Sequence, residues 1–271
     1  MSFTQVLKHD SLKFRILDYN PSEEIENCMI LLHAIGGRLE NWLPLIENFA
    51  QTGKSRLIAF DLRGHGQSSV PKGKYTVPTY IEDLEIILNH LEVKEPFILL
   101  NHSITGIISL AYALQCPKKV QGLVTISFAG KLPPLIHKGL KLLPPTPLWG
   151  PLRKLARKEL IKYAISQSSD TKVAEDTIKF ALKTKNRPVS KTLRSFIPFS
   201  KDLCLNNIQC PVLIITGKED KAVCPEDLVK ECENEIPQAK SRIFDKASHL
   251  VHLEWPIQVN QQIHEFVSKL T

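Results

Sequence analysis

Phe97-Ile98-Leu99-Leu100-Asn101-His102-Ser103-Ile104-Thr105-Gly106 is the stretch on which the fold turns. Its four leading apolar residues read as a buried strand that ends at Ser103, and Gly106–Gln115 continues as an apolar helix that stops ahead of Pro117. A strand that passes at once into a helix through a serine lifts the hydroxyl above the sheet edge. The first helical turn then aims backbone N–H groups at the same spot, where they stabilise a developing negative charge.

Outward from this junction, Cys28–His33, Arg56–Asp61, Val120–Ser127 and Cys210–Gly217 are further short apolar runs, as is the strand beginning at Pro96. Runs of this kind, separated by helix-period segments, are the rhythm of a parallel sheet covered on both faces. Tyr80–Leu91 supplies one such helix, with Ile81, Leu84, Ile87, Leu88 and Leu91 on a single face. Phe3–Leu7 and Leu12–Leu17 are too closely spaced for a crossover, so they are expected as an antiparallel hairpin at the sheet edge. The fold class is therefore α/β, with a mostly parallel sheet.

The rhythm breaks at Gly130 and resumes at Cys210. Pro133, Pro134, Pro144, Pro145, Pro147 and Pro151 forbid a continuous helix at the start of this gap. Leu152, Leu155, Leu160 and Tyr163, then Ala174, Ile178, Ala181 and Leu182, recur at helical spacing. We expect a helical cap over residues 130–201, inserted into a core domain made of 1–129 and 202–271. From Lys131 to Lys201 the chain carries 16 Lys or Arg against 4 Asp or Glu, although the whole protein is only +7. That charge suits a solvated surface or a weak association with anionic lipid.

At 271 residues, 43% hydrophobic and 23% charged, the chain is long and apolar enough for one globular domain with an insertion, which excludes a fibrous or disordered protein. The start, MSFTQVLKHDSLKF, lacks the apolar core of a secretory signal, and no run is long enough to span a bilayer, so a cytoplasmic location is expected. Six scattered cysteines without a CxxC pair point to free thiols rather than to zinc or disulfides. Asp61-Leu62-Arg63-Gly64-His65-Gly66-Gln67-Ser68 lacks the third glycine of a dinucleotide loop. No Walker loop, HExxH or nucleic-acid motif is present, so no cofactor, metal or nucleic-acid partner is expected.

The His-Ser pair with Gly106 resembles the GHSxGG elbow of the α/β-hydrolase family, although Asn101 and Thr105 stand where Gly-x-Ser-x-Gly has glycines. The likeness extends along the chain. His33-Ala34-Ile35-Gly36-Gly37 is similar to the family's HGxGG loop, Asp61–Ser68 to its structural DxRGxGxS turn, and Gly217-Lys218-Glu219-Asp220 to its GxxD turn. Ala247-Ser248-His249-Leu250-Val251-His252-Leu253-Glu254 is similar to its GAGHxxHLE loop.

The resemblance implies an eight-stranded sheet with a cap, and the order Ser…Asp…His in the chain. It assigns Ser103 as nucleophile, Asp220 as acid and His249 as base, with His252 the competing base about three residues into the closing helix. His264 is expected on the surface of that helix. The oxyanion donors would be the backbone N–H groups of Ile35 and Ile104, and His33, His102 and Trp149 are expected to line the substrate site. The implied activity is hydrolysis of a carboxylic ester, apolar in its acyl or alkyl part. Hydrolysis of a C–C bond, lactone or amide, or ligand binding with slow turnover, is the alternative.

Overall fold

A computed structural model describes residues 3–21, 25–51, 54–134, 136, 165 and 172–270. Eight strands form one sheet: β1 (Phe3–His9), β2 (Leu12–Tyr19), β3 (Asn27–Leu32), β4 (Ser55–Phe60), β5 (Phe97–His102), β6 (Val120–Ile126), β7 (Val212–Gly217) and β8 (Ala239–Phe244). Their order across the sheet is β1-β2-β4-β3-β5-β6-β7-β8. The hairpin β1–β2 is antiparallel and lies at the edge, β2 pairs antiparallel with β4, and every later pairing is parallel.

Alternation along the inner strands divides the core. Ile30, Leu32, Phe97 and Leu99 face one side, where α2 (Val77–His90), α3 (Gly106–Gln115) and α6 (Glu226–Glu235) pack. Met29, Leu31, Ile98 and Leu100 face the other, against α1 (Leu43–Ala50) and α8 (Pro256–Val267). Both faces of these strands are covered, which is why their sequences are continuously apolar rather than alternating. Each such buried Leu or Ile contributes about 1.5–3 kcal/mol relative to an exposed one. Prolines in the first turns of α1, α2 and α8 start helices where no N–H partner is lost.

Between β6 and β7 lie α4 (Lys172–Ala181) and α5 (Asn186–Phe199). Ala174 and Ile178 of α4 are buried with Leu250 and Leu253, the first just ahead of the short helix α7 (Val251–Glu254) and the second within it. On α5, Phe196 meets Tyr80 edge-on, and Thr192 Oγ1 lies 2.7 Å from Tyr80 Oη. The segment thus packs on the sheet domain through side chains that recur at helical spacing. Pro144, Pro145, Trp149 and the expected helix over Leu152–Tyr163 lie outside the described residues. Among the described residues no helix is long and apolar enough to cross a membrane.

Candidate active site

The elbow follows from the end of β5. Ser103 has φ 63°, a left-handed conformation that L residues seldom adopt, and a 3-10 turn over Ser103–Thr105 leads directly into α3. Such strain persists only where the surroundings hold it, and here a strand and a helix grip both ends. Gly106 is required for close packing: a Cβ there would lie 2.3 Å from Phe128 Cδ1 and 2.7 Å from Asn101 Nδ2.

The two residues that replace family glycines behave oppositely to what their shapes suggest. Thr105, the bulkier misfit in sequence, has an ordinary right-handed backbone, with φ −66°. Its hydroxyl donates to His102 O at 2.7 Å, tying the turn together. Asn101, whose amide could have bonded the local backbone, is fully buried, and neither amide atom has a hydrogen-bond partner among the described residues.

Three side chains from three strand ends meet above this turn. Ser103 Oγ lies 3.0 Å from His249 Nε2, and His249 Nδ1 lies 2.7 Å from Asp220 Oδ2. Asp220 is 1% exposed and leaves the end of β7 in a turn closed by its own N–H to Gly217 O at 3.1 Å. Its other oxygen, Oδ1, accepts Val223 N–H at 3.2 Å. The carboxylate fixes the proton on His249 Nδ1, which leaves Nε2 as an acceptor for the serine hydroxyl. Burial alone would lower the His249 pKa, but the charge and hydrogen bond of Asp220 outweigh it and the net shift is upward. This arrangement can take a proton from a hydroxyl and hold it as a stabilised imidazolium.

His252 does not join the chain. It is buried between Trp42 and His102, with ring centroids 5.2 and 4.4 Å away, and neither nitrogen has a partner among the described residues. Burial first, and then His249, lowers its pKa to about 3. His264, expected on the surface, is half-buried and stacked on Phe49 at 3.6 Å. Helical period alone did not reveal that α1 packs beside it.

Ile35 and Ile104 sit on neighbouring strand ends, since Leu32 of β3 pairs with Asn101 of β5. The N–H of Ile104 is in the first turn of a helix, where no intrahelical acceptor exists. Ile35 belongs to a turn closed by Gly37 N–H to Ala34 O at 2.8 Å, with Gly36 at φ 90°. Among the described residues no acceptor takes the Ile35 N–H. The segment between β6 and β7 supports this loop: Thr184 Oγ1 donates to Gly36 O at 3.0 Å, Asn41 Nδ2 to Thr177 Oγ1 at 2.7 Å, and the Arg38 guanidinium lies 4.2 Å above the Phe180 ring.

Two of the residues expected to line the substrate site have their imidazoles engaged inside the protein. His33 is fully buried; it accepts Leu62 N–H on Nε2 at 3.0 Å and donates Nδ1–H to Ala34 O at 2.8 Å, so its imidazole braces the Ile35 loop from beneath. Burial lowers its pKa to about 4, which keeps the ring neutral and Nε2 able to accept. His102 is 3% exposed and directs Nε2 to His249 O at 2.9 Å, so it supports the loop of His249 instead. In both cases a histidine beside a functional residue in sequence points into the protein because of strand alternation and loop direction. Trp149 lies outside the described residues.

Asp61–Ser68 forms a turn around one buried carboxylate: Asp61 accepts Leu39 and Gln67 N–H groups, each at 2.8 Å, and Ser68 Oγ donates to Asp61 O at 2.6 Å. A Cβ on Gly66 would fall 2.1 Å from the Asp61 carboxyl. Among the described residues no group of three or more His, Cys, Asp or Glu is gathered as a metal centre. Sequence reasoning missed Ser127, whose hydroxyl donates to His249 O at 2.8 Å, and the supporting Thr177 and Thr184. Nothing in their local sequence marks them.

Residues 27–158 match the family model described as the alpha/beta hydrolase fold. A Bacillus subtilis (strain 168) protein provisionally named 2-succinyl-6-hydroxy-2,4-cyclohexadiene-1-carboxylate synthase is 24% identical over 100% of both chains. A proline iminopeptidase of Lactobacillus helveticus is 25% identical, over 83% of this chain and 84% of its own. Among solved structures, a thermophilic esterase from Thermogutta terrifontis superposes with a TM-score of 0.81 at 22% identity, covering 100% of this chain and 99% of its own.

Proposed function

The chain belongs to the α/β-hydrolase fold family, and on that premise we propose that it is a serine hydrolase cleaving carboxylic esters with an apolar acyl or alkyl part. The observation that carries this reading is the continuous path from Ser103 Oγ to His249 Nε2 at 3.0 Å and from His249 Nδ1 to Asp220 Oδ2 at 2.7 Å. The preference for an apolar group rests on the composition of residues 144–149, where Pro144, Pro145, Leu148 and Trp149 fall.

Ser103 Oγ attacks the ester carbonyl carbon as its proton passes to His249 Nε2. The carbonyl π pair moves onto oxygen, and the Ile35 and Ile104 N–H groups hold the resulting anion. Collapse expels the alkoxide, which takes the proton from His249 and leaves the acyl group on Ser103. A water molecule then repeats the sequence: His249 removes its proton, the acid departs, and Ser103 regains a proton. The Asp220 carboxylate stabilises the imidazolium of both half-reactions. Loss of one oxyanion donor costs about 2.7–4 kcal/mol of transition-state stabilisation.

The test uses short and medium p-nitrophenyl esters and a fluorophosphonate probe, with Ser103→Ala as the control. Turnover and labelling by the wild type, and neither by the variant, is the expected outcome. A wild type that neither hydrolyses nor labels overturns the proposal, and labelling that persists in Ser103→Ala overturns the choice of nucleophile.

A further inference from the structure

Two buried side chains outside the proton path end on one atom. The carbonyl oxygen of His249 accepts the Ser127 hydroxyl at 2.8 Å and His102 Nε2–H at 2.9 Å. The donors come from the ends of adjacent parallel strands, since His102 of β5 pairs with Ile126 of β6. Ser127 is fully buried, its N–H donates to Ile215 O at 2.7 Å, and its φ is 53°. Glycine is the residue that takes such a backbone without cost, so a serine there points to a use for the hydroxyl.

We propose that Ser127 and His102 are positioning residues that clamp the His249 carbonyl between them and so set the reach of its imidazole to Ser103 Oγ. This rests on the reading of Ser103 and His249 as nucleophile and base. The imidazole is held at its far side by Asp220, but a single bond to Nδ1 leaves the ring free to swing about it. Anchoring the backbone carbonyl removes that freedom. The rest of the loop is tied by Glu219 N–H to Ala247 O at 2.9 Å and Ser248 N–H to Glu254 Oε1 at 3.1 Å. His102 suits the task because burial, with His252 and His249 nearby, keeps it neutral. A second cation 5.0 Å from the His249 ring would oppose formation of the imidazolium.

The experiment measures kcat, KM, the pH midpoint of the acid limb of kcat/KM and the melting temperature, with a p-nitrophenyl ester as substrate. The variants are Ser127→Ala, Ser127→Gly, His102→Leu, His102→Gln, the double Ser127→Gly/His102→Leu, and Ser103→Ala. Ser127→Gly relieves the positive φ while removing the hydroxyl, so it separates the clamp from the fold. We expect Ser127→Gly and His102→Leu each to lose about tenfold in kcat, and the double variant about a hundredfold, with KM within about twofold. The acid limb should move to lower pH as the contact between His249 and Asp220 loosens; Glu254, His102 and His252 are the other titratable groups around that ring. His102→Gln, which keeps an N–H at the same reach, should recover most of the rate lost in His102→Leu. Wild-type kcat and an unmoved acid limb in Ser127→Gly overturn the clamp, as does a rate loss in Ser127→Ala that glycine restores. An inactive wild type, or an active Ser103→Ala, instead sinks the hydrolase reading on which the clamp depends.

Discussion

Asp220→Asn isolates what the buried carboxylate does for the imidazole, and the surroundings dictate how the new amide will sit. Asp220 Oδ1 accepts Val223 N–H at 3.2 Å, so an asparagine keeps its oxygen on that side. Its NH2 then faces His249 Nδ1, where the carboxylate oxygen stood at 2.7 Å. Two donors cannot face each other, so the imidazole changes tautomer and its Nε2 acquires the proton. That N–H now points at Ser103 Oγ from 3.0 Å and cannot accept the hydroxyl proton. Flipping the amide restores the tautomer but opposes an NH2 to the Val223 N–H in a site 1% exposed to water. Either way the base is lost, and kcat should fall by about 10⁴-fold, or about 5.5 kcal/mol.

The acid limb of kcat/KM adds a second readout. In the wild type its midpoint should lie above the ordinary imidazole range, because the charge and hydrogen bond of Asp220 more than offset burial. With that charge gone, only the charge of Glu254 still opposes burial, and the midpoint moves down. Stopped-flow hydrolysis of a p-nitrophenyl ester between pH 5 and 9, with circular dichroism to establish folding, checks both. A folded variant within about tenfold of wild-type kcat, or one whose acid limb stays in place, refutes the role assigned to Asp220.

Two further outcomes are expected. Burial lowers the pKa of His33 to about 4, of His65 and His252 to about 3, and of His102 well below 6.5, whereas the unfolded chain protonates all of them near 6.5. The unfolded state therefore binds more protons below pH 6.5, and stability is lost as pH falls from there towards 4, each group contributing at most about 1.4 kcal/mol per pH unit. A melting temperature unchanged between pH 7 and 4.5 would contradict this. Gly217→Ala places a Cβ 2.2 Å from Ala247 O and 2.5 Å from Ser248 O, both backbone atoms of the loop that carries His249. The loop must move, so kcat should drop by about 100-fold or more, and a variant with wild-type kinetics would show that the loop tolerates the shift.

The amino-acid sequence determined the elements and their order, because burial on both faces forces continuous apolar runs and a strand-to-helix serine is a local pattern. Phe97–His102 and Gly106–Gln115 are legible for that reason, as is the hairpin at the edge, whose connection is too short for any crossover. The candidate site was legible in its three principal side chains, which lie in motifs at strand ends. It was not legible in what supports them. Thr105 relieves the elbow through a bond to His102 O, Asn101 gains none, and His33 and His102 turn inward to brace loops. Ser127 reaches His249 O across 122 positions of sequence, and Thr184 reaches Gly36 O across 148. Those contacts depend on register between strands and on the direction in which each loop leaves the sheet. Periodicity and motif spacing carry no information about either, so only the tertiary structure decided them.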